Sequence, residues 1–145
     1  MQSTIPALVI RRTYDVPPER VFQAWTTPEL AKQFLGPNDV TTPDVEMDVR
    51  TGGTYRIVMQ MADGERWTVG GVYREVQPPH RLQMTWRWKE DDPNDERDTL
   101  LTLEFNPHDG GTEMILTHEQ LASEESRAGH ARGWEAIADQ LRKVL

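Results

Sequence analysis

Apolar and polar side chains alternate through the middle of the chain, and this alternation predicts an antiparallel sheet. In RLQMTWRW (residues 81–88) every second side chain is large and apolar, and those between are arginine, glutamine and threonine. A repeat of two places one set on each face of a strand. The turn-forming stretches ADGE, QPPH, KEDDPNDERD and NPHDGG separate such segments between residues 40 and 119. We therefore expect about six strands in that span.

The two ends of the chain follow other patterns. Residues 4–14 are rich in β-branched side chains and predict a first strand. The apolar positions of PPERVFQAW (17–25) then have helical spacing, and the Thr-Pro pair at 27–28 resets the chain into a second short helix ending near 36–37. From about Ser123 onwards, an N-cap residue is followed by apolar positions every three or four residues, which predicts one long final helix.

That final helix begins with AGHARGW, which contains two glycines that an ordinary helix would avoid. A sheet with one strongly apolar face has to be covered, and this is the one long helix predicted to cover it. We therefore predict that Gly133 lets the helix backbone approach a strand closely and that Gly129 loosens the start of the helix. Trp134 would fill the space beside Gly133, and His130 would supply a polar group one turn earlier.

Composition and charge exclude several classes of protein. The 145 residues include 16 basic and 24 acidic ones, for a net charge of −8, and the basic residues do not cluster as a nucleic-acid-binding surface requires. The absence of cysteine excludes disulfides, thiolate nucleophiles and thiolate metal ligands. The N-terminus lacks the pattern of a secretory signal, and no apolar run approaches a membrane span. We expect a cytoplasmic protein with one domain over residues 1–145 and no cofactor.

Separated motifs occur in a recognisable order: DVRTGGTYRI at 48–57, GGVYREVQPPHRLQMTWRW at 70–88, GGTEMILTHE at 110–119 and GHARGWEAIADQL at 129–141. Together they resemble the SRPBCC (START-like, helix-grip) superfamily. More specifically, the chain resembles the single-domain bacterial branch named after the activator of the heat-shock-protein ATPase. The resemblance covers nearly the whole chain. One departure is Phe34, where similar proteins commonly carry a tryptophan.

The resemblance implies an α+β helix-grip fold, in which a curved antiparallel sheet of about six to seven strands wraps around a long C-terminal helix. Two short helices would follow the first strand, and a cavity between sheet and helix often takes an apolar ligand. The large side chains predicted to face the helix, together with those on it, form the expected lining. They are Tyr55, Met59, Trp67, Met84, Trp86, Trp88, Leu103, Met114, His118, His130, Trp134 and Ile137.

The histidines are the first candidates for chemistry, and none has the spacing of a zinc ligand pair. His130, one turn before Trp134, would either orient a ligand or act as a general base in the cavity, or pack the helix start against the sheet. We favour the structural alternative. His118 is expected to be a hydrogen-bonded core residue near the cavity, and His80 and His108 to be solvated in turns.

Acidic residues offer two further candidate sites, for which a solvated surface is the favoured interpretation. The loop EDDPNDERD lacks the glycine and the terminal glutamate of an EF-hand, so we expect no calcium site at Asp91, Asp92, Asp95, Glu96 and Asp98. Acid–base chemistry in the cavity would draw on Glu46, Asp48, Arg56 or Glu75. Motifs for nucleophilic catalysis and phosphate binding are absent.

The leading hypothesis is a module that binds a small apolar or amphipathic ligand between sheet and helix. Methionine and tryptophan suit such a pocket because methionine adapts its shape and tryptophan offers a large apolar face. The first alternative is an enzyme, such as a cyclase, dehydratase or hydrolase acting on an aromatic substrate with His130 as base. The second is an accessory protein that contacts a chaperone, and a contact with a second copy of the chain is a further candidate.

Overall fold

Seven strands and three helices make up the part of the chain described by the computed structural model, which comprises residues 5–36, 39–89 and 98–145. Residues of the predicted acidic loop from 90 to 97 lie outside the described part, including Asp91, Asp92, Asp95 and Glu96. The elements are β1 Leu8–Tyr14, α1 Pro18–Thr26, α2 Pro28–Ala31, β2 Thr41–Met47, β3 Thr54–Gln60, β4 Arg66–Gln77, β5 Arg81–Trp88, β6 Thr99–His108, β7 Gly111–Glu119 and α3 Glu124–Val144.

The helix boundaries follow from capping chemistry. Helix α1 begins at Pro18, where a missing N–H costs nothing, and ends before Thr27, whose extended backbone is the conformation favoured before a proline. Helix α3 begins after Ser123, whose hydroxyl accepts the N–H of Ser126 at 3.0 Å. Two glutamates in its first turn complement the helix dipole. The predicted start of the long helix is therefore confirmed.

All seven strands form one antiparallel sheet in the order β1-β7-β6-β5-β4-β3-β2. The sheet curls into a half-barrel, and α3 packs on its concave face through buried side chains, among them Trp134, Ile137 and Leu141. In β5, Leu82, Met84 and Trp86 are buried as the alternation predicts. The predicted helix-grip fold and its six strands after residue 40 are thus confirmed.

Strands β4 and β5 approach each other closely at Gly71. A Cβ atom at Gly71 would overlap the carbonyl group of Thr85, so only glycine permits this approach. The regular backbone pairing between β4 and β5 is interrupted here, and Thr85 forms other hydrogen bonds in its place. Its hydroxyl accepts the N–H of Val72 at 2.9 Å, and its carbonyl accepts the hydroxyl of Tyr55.

Helices α1 and α2 cover one end of the concave face. Phe22 meets Phe105 edge-on at 5.9 Å between ring centroids, and Trp25 meets Phe34 in the same manner at 5.1 Å. Phe34 is fully buried, so this departure from the expected tryptophan still supplies a core aromatic ring. This end of the half-barrel is therefore closed by side chains.

The two outer strands, β1 and β2, carry distinctive polar features. Arginines from α3 bind backbone carbonyls beside β1: Arg127 donates to Pro6 and Ala7 at 3.1 and 3.3 Å, and Arg142 donates to Thr13 at 2.9 Å. Strand β2 contains Pro43, and its pairing with β3 is irregular between residues 41 and 44.

No helix among the described residues has the length and apolar character needed to cross a membrane.

Candidate functional site: a cavity between sheet and helix

A cavity of about 620 Å³ separates the first half of α3 from the concave face of the sheet. Pockets for drug-sized ligands commonly have volumes of about 300–1,000 Å³, so this one is large enough for a small organic molecule. The exposed side chains of Glu125 and Arg132 mark the edge of the cavity on the helix. The lining consists of Val40, Met59, Met61, Trp67, Trp86, Trp88, Ser123, Glu125, Ser126, Gly129, His130, Arg132, Gly133, Trp134 and Ile137.

Four tryptophans form a continuous aromatic surface on this cavity, which we call the indole wall: Trp67, Trp88, Trp86 and Trp134. Trp88 meets Trp67 and Trp86 edge-on at 6.2 and 5.8 Å between ring centroids, and Trp86 meets Trp134 at 4.9 Å. These are favourable geometries for aromatic pairs, and each ring restrains its neighbour. The wall is consequently a preformed apolar surface.

Both ring nitrogens of His130 are engaged within the protein. Nδ1 lies 2.8 Å from the carbonyl oxygen of Ser126, so it carries the proton and donates it there. Nε2 accepts the indole N–H of Trp88 at 3.1 Å. In its neutral form the imidazole therefore takes one tautomer, and it joins the first half of α3 to the end of β5. The lone pair that a general base needs is already occupied by an N–H donor.

His118 lies deeper, at the centre of a hydrogen-bond chain. Its Nδ1 accepts the indole N–H of Trp134 at 3.0 Å, so Nε2 carries the proton towards the hydroxyl of Thr99 at 2.7 Å. That hydroxyl in turn donates to the carbonyl of Trp86 at 2.6 Å. Burial, followed by the charge of nearby His130, lowers the pKa of His118 to about 3. His118 is thus the hydrogen-bonded core histidine that the sequence favoured, and it orients Trp134.

The two helix glycines leave space instead of permitting close packing. A Cβ atom at Gly133 would meet nothing within 4 Å, and one at Gly129 would meet only a guanidinium nitrogen of Arg132 at 4.0 Å. The prediction that Gly133 allows a strand to approach closely is therefore wrong. The backbone of α3 stands away from the sheet at this point, and both glycines line the cavity.

The predicted lining residues fall into two groups. Those bordering the cavity are Met59, Trp67, Trp86, Trp88, His130, Trp134 and Ile137. The others are buried in the closed core instead, and their predicted place in the lining needs correcting: Tyr55, Met84, Leu103, Met114 and His118. The core closes over Leu103 and Met114 beneath the helices, Tyr55 turns to the carbonyl of Thr85, and His118 lies behind Trp134.

Sequence reasoning missed other lining residues, although some carried a signal. Met61 shares the strand parity of Met59 and extends the same face. Ser126, Gly129 and Gly133 lie at helical spacing along one face of α3. Val40 carried no such signal, because it precedes β2 and reaches the cavity only through the tertiary fold.

The remaining candidate residues lie outside the cavity lining. Arg56 pairs with Asp44 at 2.6 Å and with Glu46 at 3.3 Å, and the half-buried Arg81–Glu75 pair measures 2.6 Å. Pairs as exposed as those of Arg56 typically contribute less than about 1 kcal/mol. Asp48 pairs with Arg50, and Asp98 pairs with Arg87, both at the surface as predicted. His80 and His108 are exposed as well. Within the described ranges, no group of three or more potential metal ligands converges.

Comparison with known proteins gives one family match. The family model described as "Activator of Hsp90 ATPase homolog 1-like protein" matches residues 15–145. No curated protein matches the chain.

Solved structures with the same fold come from several bacteria. A protein of Chromobacterium violaceum has a TM-score of 0.84 with 23% identity, and the alignment covers 97% of this chain and 98% of that one. A protein of Mycobacterium smegmatis has a TM-score of 0.82 with 24% identity, covering 96% and 90%. The AHSA1 protein of Silicibacter pomeroyi has a TM-score of 0.81 with 27% identity, covering 95% and 96%.

Proposed function

Since the chain belongs to the family of activator of Hsp90 ATPase homolog 1-like proteins, whose fold hosts several kinds of activity, we propose a function from its cavity. The protein binds a small apolar or amphipathic molecule between the sheet and α3. The cavity itself is the observation that carries this proposal, because a volume of about 620 Å³ bounded by the indole wall is far larger than the packing voids of a protein core.

The chemistry of the lining supports an apolar ligand with a polar end. The three strand tryptophans of the indole wall and two methionines, Met59 and Met61, supply most of the sheet side, while Ser126, Glu125 and Arg132 lie on the helix side. A ligand would bury its apolar body against the indoles and keep a polar group near the exposed helix residues. This division matches small-molecule pockets, in which a few polar groups orient a mainly apolar ligand.

The contacts of His130 argue against the enzyme alternative. A general base needs a free lone pair within hydrogen-bond reach of a substrate proton. Nε2 of His130 accepts the N–H of Trp88 at 3.1 Å, and Nδ1 donates to Ser126 at 2.8 Å. His118 is shielded behind Trp134, so its ring does not border the cavity. Binding without chemistry is the simpler use of this site.

The surface gives little support to a chaperone-accessory role, although the family description names a chaperone activator. Protein interfaces rely on clustered apolar or aromatic anchors. Among the described residues, the exposed large hydrophobic side chains are Val9 and Val72, on β1 and β4. Three strands of the sheet lie between them, so they do not form one patch.

Ligand retention and binding test the proposal directly. Native mass spectrometry of protein purified without detergent should show an added small-molecule mass. Titration with dodecanoic acid and with 1-naphthol should change the intrinsic fluorescence, because four of the five tryptophans line the cavity. At a concentration one hundred times Kd, a ligand should stabilise the protein by about 2.7 kcal/mol and raise Tm by several degrees.

A matched pair of substitutions locates the binding. Met61→Glu places a carboxylate in the apolar lining and should weaken binding of an apolar probe at least tenfold, because the charge would have to be desolvated. Val9→Glu introduces the same charge at a residue that is 48% exposed and outside the lining, and should leave binding unchanged. Equal binding by both variants, or no retained ligand and no probe-dependent stabilisation, would refute the proposal.

A further inference from the structure

Gly129 and Gly133 are unusual because the fold does not require them. Neither has the positive φ that favours glycine, and added Cβ atoms would meet open space or the tip of Arg132. Gly71 shows the contrast, since its Cβ would overlap a neighbouring backbone carbonyl. Alanine at either helix position would improve helix propensity without a clash. A reason for the two glycines therefore has to come from the cavity that they line.

The two glycines lie one turn apart on the same face of α3, so they expose a strip of bare helix backbone to the cavity. The opposite side of the cavity is formed by strand residues of the indole wall, among them Trp86 and Trp88. Both of these rings are restrained by aromatic neighbours, and Trp88 is also bound to His130. The space between, which we call the slot, therefore has bare helix backbone on one side and indole rings on the other.

We propose that this slot takes a planar aromatic ligand, and that Gly133, with Gly129, is the residue that sets the thickness of ligand admitted. This inference rests on the proposed function and specifies the ligand class. A flat ring system can stack on an indole and still lie against the glycine backbone. A side chain at residue 133 projects into the space that the ring would fill. A bulky saturated ligand of similar size has no flat π face to stack on an indole.

Matched probes and a graded series of variants test the idea. The probes are anthracene-9-carboxylate, which is planar, adamantane-1-carboxylate, which is a globular cage, and dodecanoate, which is flexible. Kd is measured by isothermal titration calorimetry in the wild type and in Gly133→Ala and Gly133→Leu. Ala128→Leu is the control, because Ala128 is exposed on the same helix and does not line the cavity.

The wild type should bind the planar probe at least tenfold more tightly than the cage. Gly133→Ala should weaken planar binding several-fold while raising Tm by about 2–4 °C, because alanine favours the helix. Gly133→Leu should weaken planar binding at least tenfold, and Ala128→Leu should not. Opposite movement of affinity and Tm distinguishes a binding role from a structural one, since damage to the fold would lower both.

Equal affinity of Gly133→Leu and the wild type for the planar probe would overturn the inference. Preference of the wild type for the cage or for dodecanoate would overturn it while leaving the proposed function standing. If the wild type binds none of the three probes and retains no molecule after purification, the proposed function is overturned as well.

Discussion

Acid should destabilise this protein through His118. The imidazole is fully buried, and its Nδ1 accepts the N–H of Trp134. A proton on Nδ1 would face that N–H donor and place a charge in the core. Burial lowers the pKa of His118 from its ordinary value of 6.5 to about 3. Between these two values the unfolded chain binds a proton at this position and the folded chain does not.

The sign and size of the effect follow from linkage. Where the unfolded state binds more protons, the free energy of unfolding rises with pH, so it falls as the pH is lowered from 6.5 towards 3. Each pH unit within the window is worth about 1.4 kcal/mol. Lowering the pH from 7 to 5 should therefore remove about 2 kcal/mol of the stability contributed by the neutral His118.

Urea denaturation at pH 7 and pH 5 measures this loss, with dilute protein because the isoelectric point is about 5.0. His118→Asn removes the titrating ring while keeping an amide oxygen to accept a hydrogen bond, and its loss of stability between the two pH values should be smaller by about 2 kcal/mol. His108→Asn, which changes an exposed residue at the end of β6, should behave as the wild type does. An identical pH dependence in the wild type and His118→Asn would refute the reasoning.

Three further substitutions probe the scaffold by urea denaturation. Gly71→Ala should cost at least about 2 kcal/mol, because the added methyl overlaps the carbonyl of Thr85; near-wild-type stability would show that the two strands separate easily at this point. Ser123→Ala should cost about 1 kcal/mol by removing the cap on the N–H of Ser126, and no loss would mean that water replaces the cap. Leu103→Ala should cost about 2–5 kcal/mol, since Leu103 is fully buried; a loss below 1 kcal/mol would contradict its assigned place in the core.

The fold was accessible from sequence because its signals are local. Alternation in β5 identified Leu82, Met84 and Trp86 as inward-facing, and Ser123 marked the start of α3. A period of two identifies a face of a sheet whatever lies opposite it. The motifs then distinguished the helix-grip arrangement from other α+β folds.

The cavity was only partly accessible, because strand parity does not say what covers each part of a face. Met84 and Trp86 share the same parity, yet Met84 lies in the closed core while Trp86 borders open space. Tertiary packing decides the difference. Gly133 shows the same limit on a helix: its presence was a clear signal, but propensity alone cannot distinguish a backbone that touches a strand from one that stands away from it.

The outer strands β1 and β2 leave the two edges of the half-barrel sheet unpaired with each other. Free strand edges act as templates that recruit strands from other chains. Here guanidinium groups from α3 occupy carbonyls flanking and within β1, and β2 interrupts its own edge with Pro43 and an irregular register. Neither edge presents an unbroken row of backbone donors and acceptors. The sheet can therefore remain open around its cavity, with edge-to-edge polymerisation and domain swapping through these strands disfavoured.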